Sequence, residues 1–428
     1  MTAARALRLP RLPKSLTVNA LALMTATIGA NALGLVFWAV AAHLRPPDIV
    51  GQASAAIAAL TLLAMIAQLN ITNVIVRLLP AAGRLGTGMV ARVYLVVVFL
   101  SLVAGLVYCV SGLGRHVLTG GWVQYAAFTF AVPVAAVFAL EDSVLTALRF
   151  APWVAAENIT TVIARIALLP VLFVTAMGAV WSTVLPMLVA VVIVNSFLFG
   201  RALPAHGRVP GTLPGRRRLL SFVAAEYTGN ICALASVQVM PLIVVWRLGP
   251  AAAAFLTLPW LIGSGISLVL WNVSASFVVE AAGSHGHPGA LLKRSLLLWS
   301  GIVAAAMIVC VAGARPLMEL VGAQYVADGV PLLRLIGLSA PFTALVIIYG
   351  TLVWLDQRVW LLAGFQAIAG ILLLGATLAL LPRLGLTAVG WAYLGTQAAL
   401  AAAVTPFTVK HIRRAEFGRA SNEFVSGK

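Results

Sequence analysis

Charge is scarce in this chain, and negative charge is the scarcer sign. Of 428 residues only 11 are Asp or Glu, and charged residues of both signs make up 9% of the sequence. A water-soluble domain carries roughly 25% charged residues, so a solvated surface around the whole chain is excluded. Cysteine is nearly absent. Cys109, Cys232 and Cys310 each stand inside an apolar run, without C-x-x-C spacing, and read as buried thiols rather than disulfides or metal ligands. No G-x-x-x-x-G-K-[ST] phosphate loop and no H-E-x-x-H zinc motif occurs, which removes ATP hydrolysis and zinc hydrolysis by those routes. Glu141 and Asp142 are adjacent, hence about 100° apart on a helix, a poor geometry for paired acid–base work. His285 and His287 share a Gly-rich loop without further ligands. The reading calls for no enzyme, cofactor or metal.

What the chain has in excess is hydrocarbon. Hydrophobic residues make up 62% of it, with a mean hydropathy of +1.05, and lipid must be the solvent for most of that surface. The apolar runs have helical length rather than the ten-residue alternation of a barrel strand. The chain is therefore predicted to be an all-α integral membrane protein of about twelve helices, near 17–44, 50–79, 89–111, 122–148, 153–175, 182–201, 219–247, 251–280, 291–313, 329–354, 359–381 and 387–409. The basic stretch Arg5, Arg8, Arg11 and Lys14 precedes a run too long for a signal-peptide core, so the first helix is read as retained.

The net charge of +17 does not point to nucleic acid, because the basic residues gather at helix ends. Most fall on one side: the N-terminal arm, Arg77, Arg84, Arg92, Arg149, the cluster Arg201 to Arg218, Lys293, Arg294, Arg358 and the C-terminal tail. The positive-inside rule then puts both termini in the cytoplasm of a multi-pass protein of the inner (cell) membrane. The basic linker divides the chain. The expected layout is a cytoplasmic arm (1–16), a six-helix bundle (17–201), the linker (202–218), a second six-helix bundle (219–409) and a basic tail (410–428). The halves echo one another: Arg45-Pro46-Pro47 matches Gly249-Pro250, and Arg149 with Glu157 matches Arg358 with Gln366. This implies two bundles related by a pseudo-two-fold axis along the membrane normal.

Polar groups within membrane spans are expensive, about 2.5–3.5 kcal/mol each for ions at the centre, and so mark interior faces. Asn70, Asn73 and Arg77 lie at offsets of three and seven residues, one helical stripe. Asn158, Thr161 and Arg165 repeat that spacing, with Glu157 beside them. For Arg77 a snorkelling arginine and an anionic head-group site both remain open. For Arg165, too deep to snorkel, the alternatives are an ion pair with Glu157, Glu141 or Asp142, or a cavity-lining cation. Glu226 and Asn230 stand one turn apart, near Gln238 and Pro241. Glu226 and Glu157 are candidate ion-coupling or ion-pair acids. Thr27, Asn31 and Trp38 share a face of the first helix.

These residues carry a resemblance. Asn31 through Trp38 leading into Leu44-Arg45-Pro46-Pro47-Asp48-Ile49-Val50-Gly51, then Val76-Arg77-Leu78-Leu79-Pro80, Leu148-Arg149, Glu157-Asn158, Arg165-Ile166, Glu226-Tyr227-Thr228-Gly229-Asn230, Met240-Pro241-Leu242 and Leu332-Leu333-Arg334 resemble the polysaccharide-biosynthesis flippases of the multidrug/oligosaccharidyl-lipid/polysaccharide (MOP) exporter superfamily. The resemblance covers nearly the whole chain. It implies two bundles rocking around a cationic cavity that moves a polyprenyl-(pyro)phosphate-linked oligosaccharide to the outer leaflet. Arg77 and Arg165 would hold the phosphates, and Asn31, Asn70, Asn73, Asn158 and Asn230 would line the substrate path. Membrane lipids would surround it, and glycosyltransferases or a polymerase of the pathway would be its partners. The chain departs from the ion-coupled branches in showing no convincing cluster of acids for sodium, and it lacks two helices expected of the lipid II branch. A cation-coupled multidrug exporter and a membrane polysaccharide polymerase or ligase stay as alternatives.

Overall fold

The computed structural model of the chain describes residues 29, 31–69, 71–207, 211, 237–283, 288–355 and 359–426, and no strand occurs among them. The first half comprises α1 (Asn31–Leu44), α2 (Pro47–Ala67), α3 (Ile71–Ala82), α4 (Gly86–Val110), α5 (Gly121–Ala147), α6 (Ala151–Leu172), α7 (Ala176–Phe197) and the short α8 (Leu203–His206). The second comprises α9 (Val237–Leu248), α10 (Pro250–Gly283), α11 (Pro288–Met307), α12 (Ala314–Val321), α13 (Val326–Leu355), α14 (Val359–Leu384) and α15 (Thr387–Ser426). Among the described residues eight helices are long and apolar enough to cross a membrane, nine if the bent pair α11 and α12 forms one span, and α1 and α9 are shorter apolar helices. This is the all-helical, two-lobed membrane architecture expected from composition. Asn70, Glu226 and Asn230 lie outside the described residues, as does the side chain of Asn73.

Three local features depart from the expected continuous rods. The apolar run 50–79 is broken: α2 stops at Ala67, Leu69 takes a left-handed conformation (φ 49°), and α3 restarts at Ile71. Gln68 ties the gap to α5 by donating from Nε2 to the Ala136 carbonyl at 3.1 Å. The break falls before the stripe expected through Asn70, Asn73 and Arg77, and Asn73 and Arg77 both lie on α3. The second departure is the end of α11, where a π-turn (Ile308–Ala312) leads into α12 at a 62° bend. Arg315 and Glu319 pair across one turn of α12 at 2.8 Å on its exposed face, a contact worth only a few tenths of a kcal/mol. Thirdly, α7 continues through a π-turn into α8, so that helix reaches His206 inside the expected linker.

Both lobes begin with a helix, a tight turn and a proline. Pro47 opens α2 after Arg45, whose Nε donates to the Phe173 carbonyl at 2.6 Å. Pro250 opens α10 after Gly249 (φ 89°), a backbone region that favours glycine. A fixed φ and a missing N–H suit proline to a first helical turn. The result is that α2 and α10 start at the same end of the molecule, and there they meet.

The meeting is close. A Cβ on Gly51 would lie 1.7 Å from the Pro250 carbonyl oxygen, so only glycine permits this helix approach. Below it Thr257 Oγ1 donates to Ser54 Oγ at 2.7 Å, both buried. Ala55, Ala56, Ala59 and Leu60 then pack with Met240, Val244, Ala253 and Leu256. Gly51→Leu is expected to push this seam apart, since overpacking costs about 1–3 kcal/mol or more. Spin labels at the exposed positions Asp48 and Arg247 should report a longer, broader distance, with the closed population reduced at least about tenfold. An unchanged distance would contradict the seam.

Candidate functional site

Beyond the seam the described residues line one cavity between the lobes and another set mostly in the second lobe. The smaller, of about 310 Å³, is lined by Asn31, Gly34 and Trp38 of α1, Asn158, Thr161 and Arg165 of α6, Phe138, Met187, and Leu261 of the opposite lobe. Helical offsets of three and seven residues carry Asn158, Thr161 and Arg165 to one face of α6, and all three reach the same space. Arg165 stands about 20 Å along α6 from its start. Its guanidinium lies over the Phe37 ring, 4.6 Å from the centroid, and rests on the bare backbone of Gly34, where a Cβ would be 3.5 Å from Nη2. Nε is buried without a hydrogen-bond partner. Among the described residues no carboxylate pairs with Arg165.

The larger cavity, of about 560 Å³, lies within the second lobe. Its walls come from α10 between Trp260 and Trp271 and from α13, α14 and α15, with Gln238 of α9 at one side and Asn31 and Met65 of the first lobe at the other. Trp260 donates its Nε1 proton to the Val237 carbonyl at 3.1 Å and meets Tyr393 edge-on at 5.6 Å. Trp271 stacks on Trp354 at 6.1 Å. Among the described residues no acidic, basic or histidine side chain lines this cavity. Asn31 lines both cavities, so they adjoin at α1.

The acids sit apart from both basic groups. The antiparallel α5–α6 pair turns at Arg149 (φ 66°) and brings Asp142 opposite Asn158, whose Nδ2 donates to both carboxylate oxygens at 3.1 Å. Asn195 of α7 donates to Glu141 Oε2 at 2.6 Å. Glu157 is buried beside Glu141, and neither of its oxygens accepts a hydrogen bond of normal geometry. The hydroxyl of Tyr94 faces this group, buried and without a partner. Among the described residues no set of three or more His, Cys, Asp or Glu side chains is placed to hold a metal ion.

No family model matches the sequence. No curated protein matches it either. Solved structures do. Over 94% of this chain and 99% of its own, the inward-facing structure of a multidrug-resistance MATE family transporter of the MOP superfamily superposes with a TM-score of 0.69 at 14% identity. The outward-facing structure of such a transporter gives 0.61 at 14% identity, over 97% of this chain and 99% of the other. A MOP-superfamily transporter from Pyrococcus furiosus, reported with a binding pocket of reversed polarity that suggests a different function, gives 0.55 at 13% identity, over 94% and 96%.

The fold is that of the MATE transporters. Within this MATE fold, Arg165, Asn158 and Asn31 of the expected site stand together in the cavity at the lobe interface. Arg77 does not join them: it is exposed on α3 and lines neither cavity. The ion pair considered for Arg165 is absent, because Asp142 and Glu141 are held by asparagines and Glu157 lies about two turns away along α6. Glu141, Asp142 and Glu157 converge in the first lobe, although the cluster is not arranged as a metal cage. Sequence reasoning missed the larger cavity altogether, since its amides and aromatics are dispersed over α9, α10, α14 and α15.

Proposed function

We propose that the chain is an alternating-access exporter of the MOP type that moves a polyprenyl-(pyro)phosphate-linked oligosaccharide from the cytoplasmic to the outer leaflet for cell-surface polysaccharide synthesis. The observation that carries this reading is Arg165, a cation with no ion-pair partner among the described residues, in an interlobe cavity within the membrane span. A guanidinium so placed suits an anion, and its planar fork matches a phosphate. Asn31 and Asn158 supply amides beside it. The lipid chain would stay in the bilayer, and the glycosyltransferases and polymerase of the same pathway would work on either side.

The seam at Gly51 and Pro250 closes one end of the path, and the higher agreement with the inward-facing neighbour supports a state open to the cytoplasm. Transport then requires that seam to open while the other end closes. A second reading, cation-coupled drug export, draws on the multidrug neighbours and the buried carboxyls near Tyr94. Against it, no carboxylate among the described residues lines either cavity.

Deletion of the gene is expected to make a lipid-linked saccharide accumulate in the inner leaflet, with surface polysaccharide lost and resistance to cationic drugs unchanged. Mass spectrometry of extracted lipids and drug-sensitivity plates check both halves. Raised drug sensitivity without accumulation would replace the first reading by the second.

A further inference from the structure

The larger cavity has a chemistry of its own. Three glutamines, Gln238, Gln366 and Gln397, converge on it from α9, α14 and α15, between the rings of Trp260, Trp271 and Tyr393. Gln397 Oε1 is buried and accepts no hydrogen bond. The Tyr393 hydroxyl reaches only Ser267 Oγ, at 3.4 Å. An amide left unpaired within a lobe sits at a cost, unless a ligand completes it. With no formal charge on the lining among the described residues, neither an organic cation nor a phosphate finds a counter-ion there.

What does fit is a neutral molecule with an apolar face and a rim of hydroxyls. The C–H face of a pyranose ring lies against an aromatic surface, as apolar groups do on tryptophan and tyrosine. Adjacent hydroxyls both donate and accept, and so does a glutamine amide. A volume of about 560 Å³ falls in the roughly 300–1,000 Å³ range of small-molecule sites.

The adjacency of the cavities completes the argument. Asn31 borders both, with Arg165 on one side and the amide–aromatic cavity on the other. We propose that the second-lobe cavity is a neutral-sugar subsite that holds the sugar next to the phosphate, while Arg165 holds the phosphate itself. The proposal rests on the reading of the chain as an exporter of lipid-linked saccharides. It divides recognition between the lobes, so that a bare lipid phosphate engages one lobe and a glycosylated one engages both.

Titration calorimetry on the purified full-length protein in nanodiscs tests this with short prenyl probes. The probes are citronellyl phosphate, the same phosphate bearing glucose, galactose or N-acetylglucosamine, and tetraphenylphosphonium. At least one sugar-bearing probe is expected to bind about tenfold or more tighter than the bare phosphate, the worth of one or two buried hydrogen bonds. The Gln366→Leu/Gln397→Leu variant should cancel that gain and leave the bare phosphate within about twofold, its retained binding serving as the control for folding. Trp271→Leu, which keeps the amides, should lose about three- to tenfold on the sugar-bearing probe alone. Arg165→Gln should weaken all phosphates by a common factor.

The failures separate. Phosphate binding that is absent, or insensitive to Arg165, overturns the exporter reading and the subsite with it. Binding that depends on Arg165 but gains nothing from any of the three sugars overturns the subsite alone. So does a gain that survives the glutamine and tryptophan variants. Tetraphenylphosphonium binding abolished by the glutamine pair would make the cavity a lipophilic-cation site instead.

Discussion

Arg165→Gln is expected to cut export of the lipid-linked saccharide about 100-fold or more while leaving the protein as stable as before, or more stable. The two halves of that expectation come from the same fact. Among the described residues the guanidinium has a ring beneath it, 4.6 Å away, but no carboxylate, and its Nε has no acceptor. Desolvating a charge without a partner costs several kcal/mol, of which a cation–π contact returns about 1–2. Removing the charge relieves that cost. A phosphate in the cavity would instead receive charge-assisted hydrogen bonds worth about 1.5–3 kcal/mol each, and losing two of them removes about two orders of magnitude or more in binding. Arg165→Lys keeps the charge and loses the planar fork, so an intermediate defect of about tenfold is expected. Transport of a labelled lipid-linked saccharide in proteoliposomes and a thermal unfolding midpoint, measured on the same preparations, are the checks. A variant that loses stability and transport together would mark Arg165 as a structural residue, and normal transport would remove it from the site.

The part of this site that was legible in the sequence is the part that lies on one helix. Asn158, Thr161 and Arg165 are bound by helical geometry, so offsets of three and seven residues suffice to place them on a common face. Asn31 joined them because the first helix carries few other polar groups. Pairings that depend on how two helices dock were not legible. Asp142 and Asn158 are 16 residues apart and meet because α5 and α6 are antiparallel about a turn at Arg149. Reading that turn as a hairpin would have placed Glu141 and Asp142 opposite Glu157 and exposed the acid cluster. The break at Leu69 was hidden for another reason. The run from Val50 to Leu79 is predominantly apolar on both sides of Gln68, and hydrophobicity reports burial in lipid without reporting backbone continuity. The left-handed Leu69 ends α2 just before the stripe expected through Asn70, Asn73 and Arg77, of which Asn73 and Arg77 both fall on α3. The glutamines of the larger cavity were the least legible of all, because each is a single polar residue in a separate span and only the packing of α9, α14 and α15 around α10 brings them together.

Locking the seam is expected to stop transport completely and reversibly. Ser54 and Thr257 face each other from the two lobes with their hydroxyl oxygens 2.7 Å apart, so cysteines at both positions fall within reach of a disulfide, whose Cβ atoms stand about 3.5–4.5 Å apart. The native contact is weak by design of its neighbours. Ala53, Ala55, Ala56 and Ala59 on α2 meet Ala253 and Ala254 on α10, small side chains that bring the backbones close while burying little apolar area each. An interhelical hydroxyl bond in a membrane adds about 0.6 kcal/mol on average. A seam of this kind holds shut and yet opens at thermal cost, as rocking of two rigid lobes demands. A covalent bond removes that freedom without altering the cavities. In a Cys232→Ala background, with Cys109 and Cys310 left buried and free, oxidation of the Ser54→Cys/Thr257→Cys protein should reduce export to the level of empty liposomes, and reduction should restore it. Arg165-dependent binding of citronellyl phosphate should persist in the oxidised protein, because the cavity beyond the seam stays open on its other side. Either single cysteine should behave as wild type. Full export by the oxidised pair would mean that substrate passes along the outside of a rigid molecule, and the alternating opening of these two lobes would have to be abandoned.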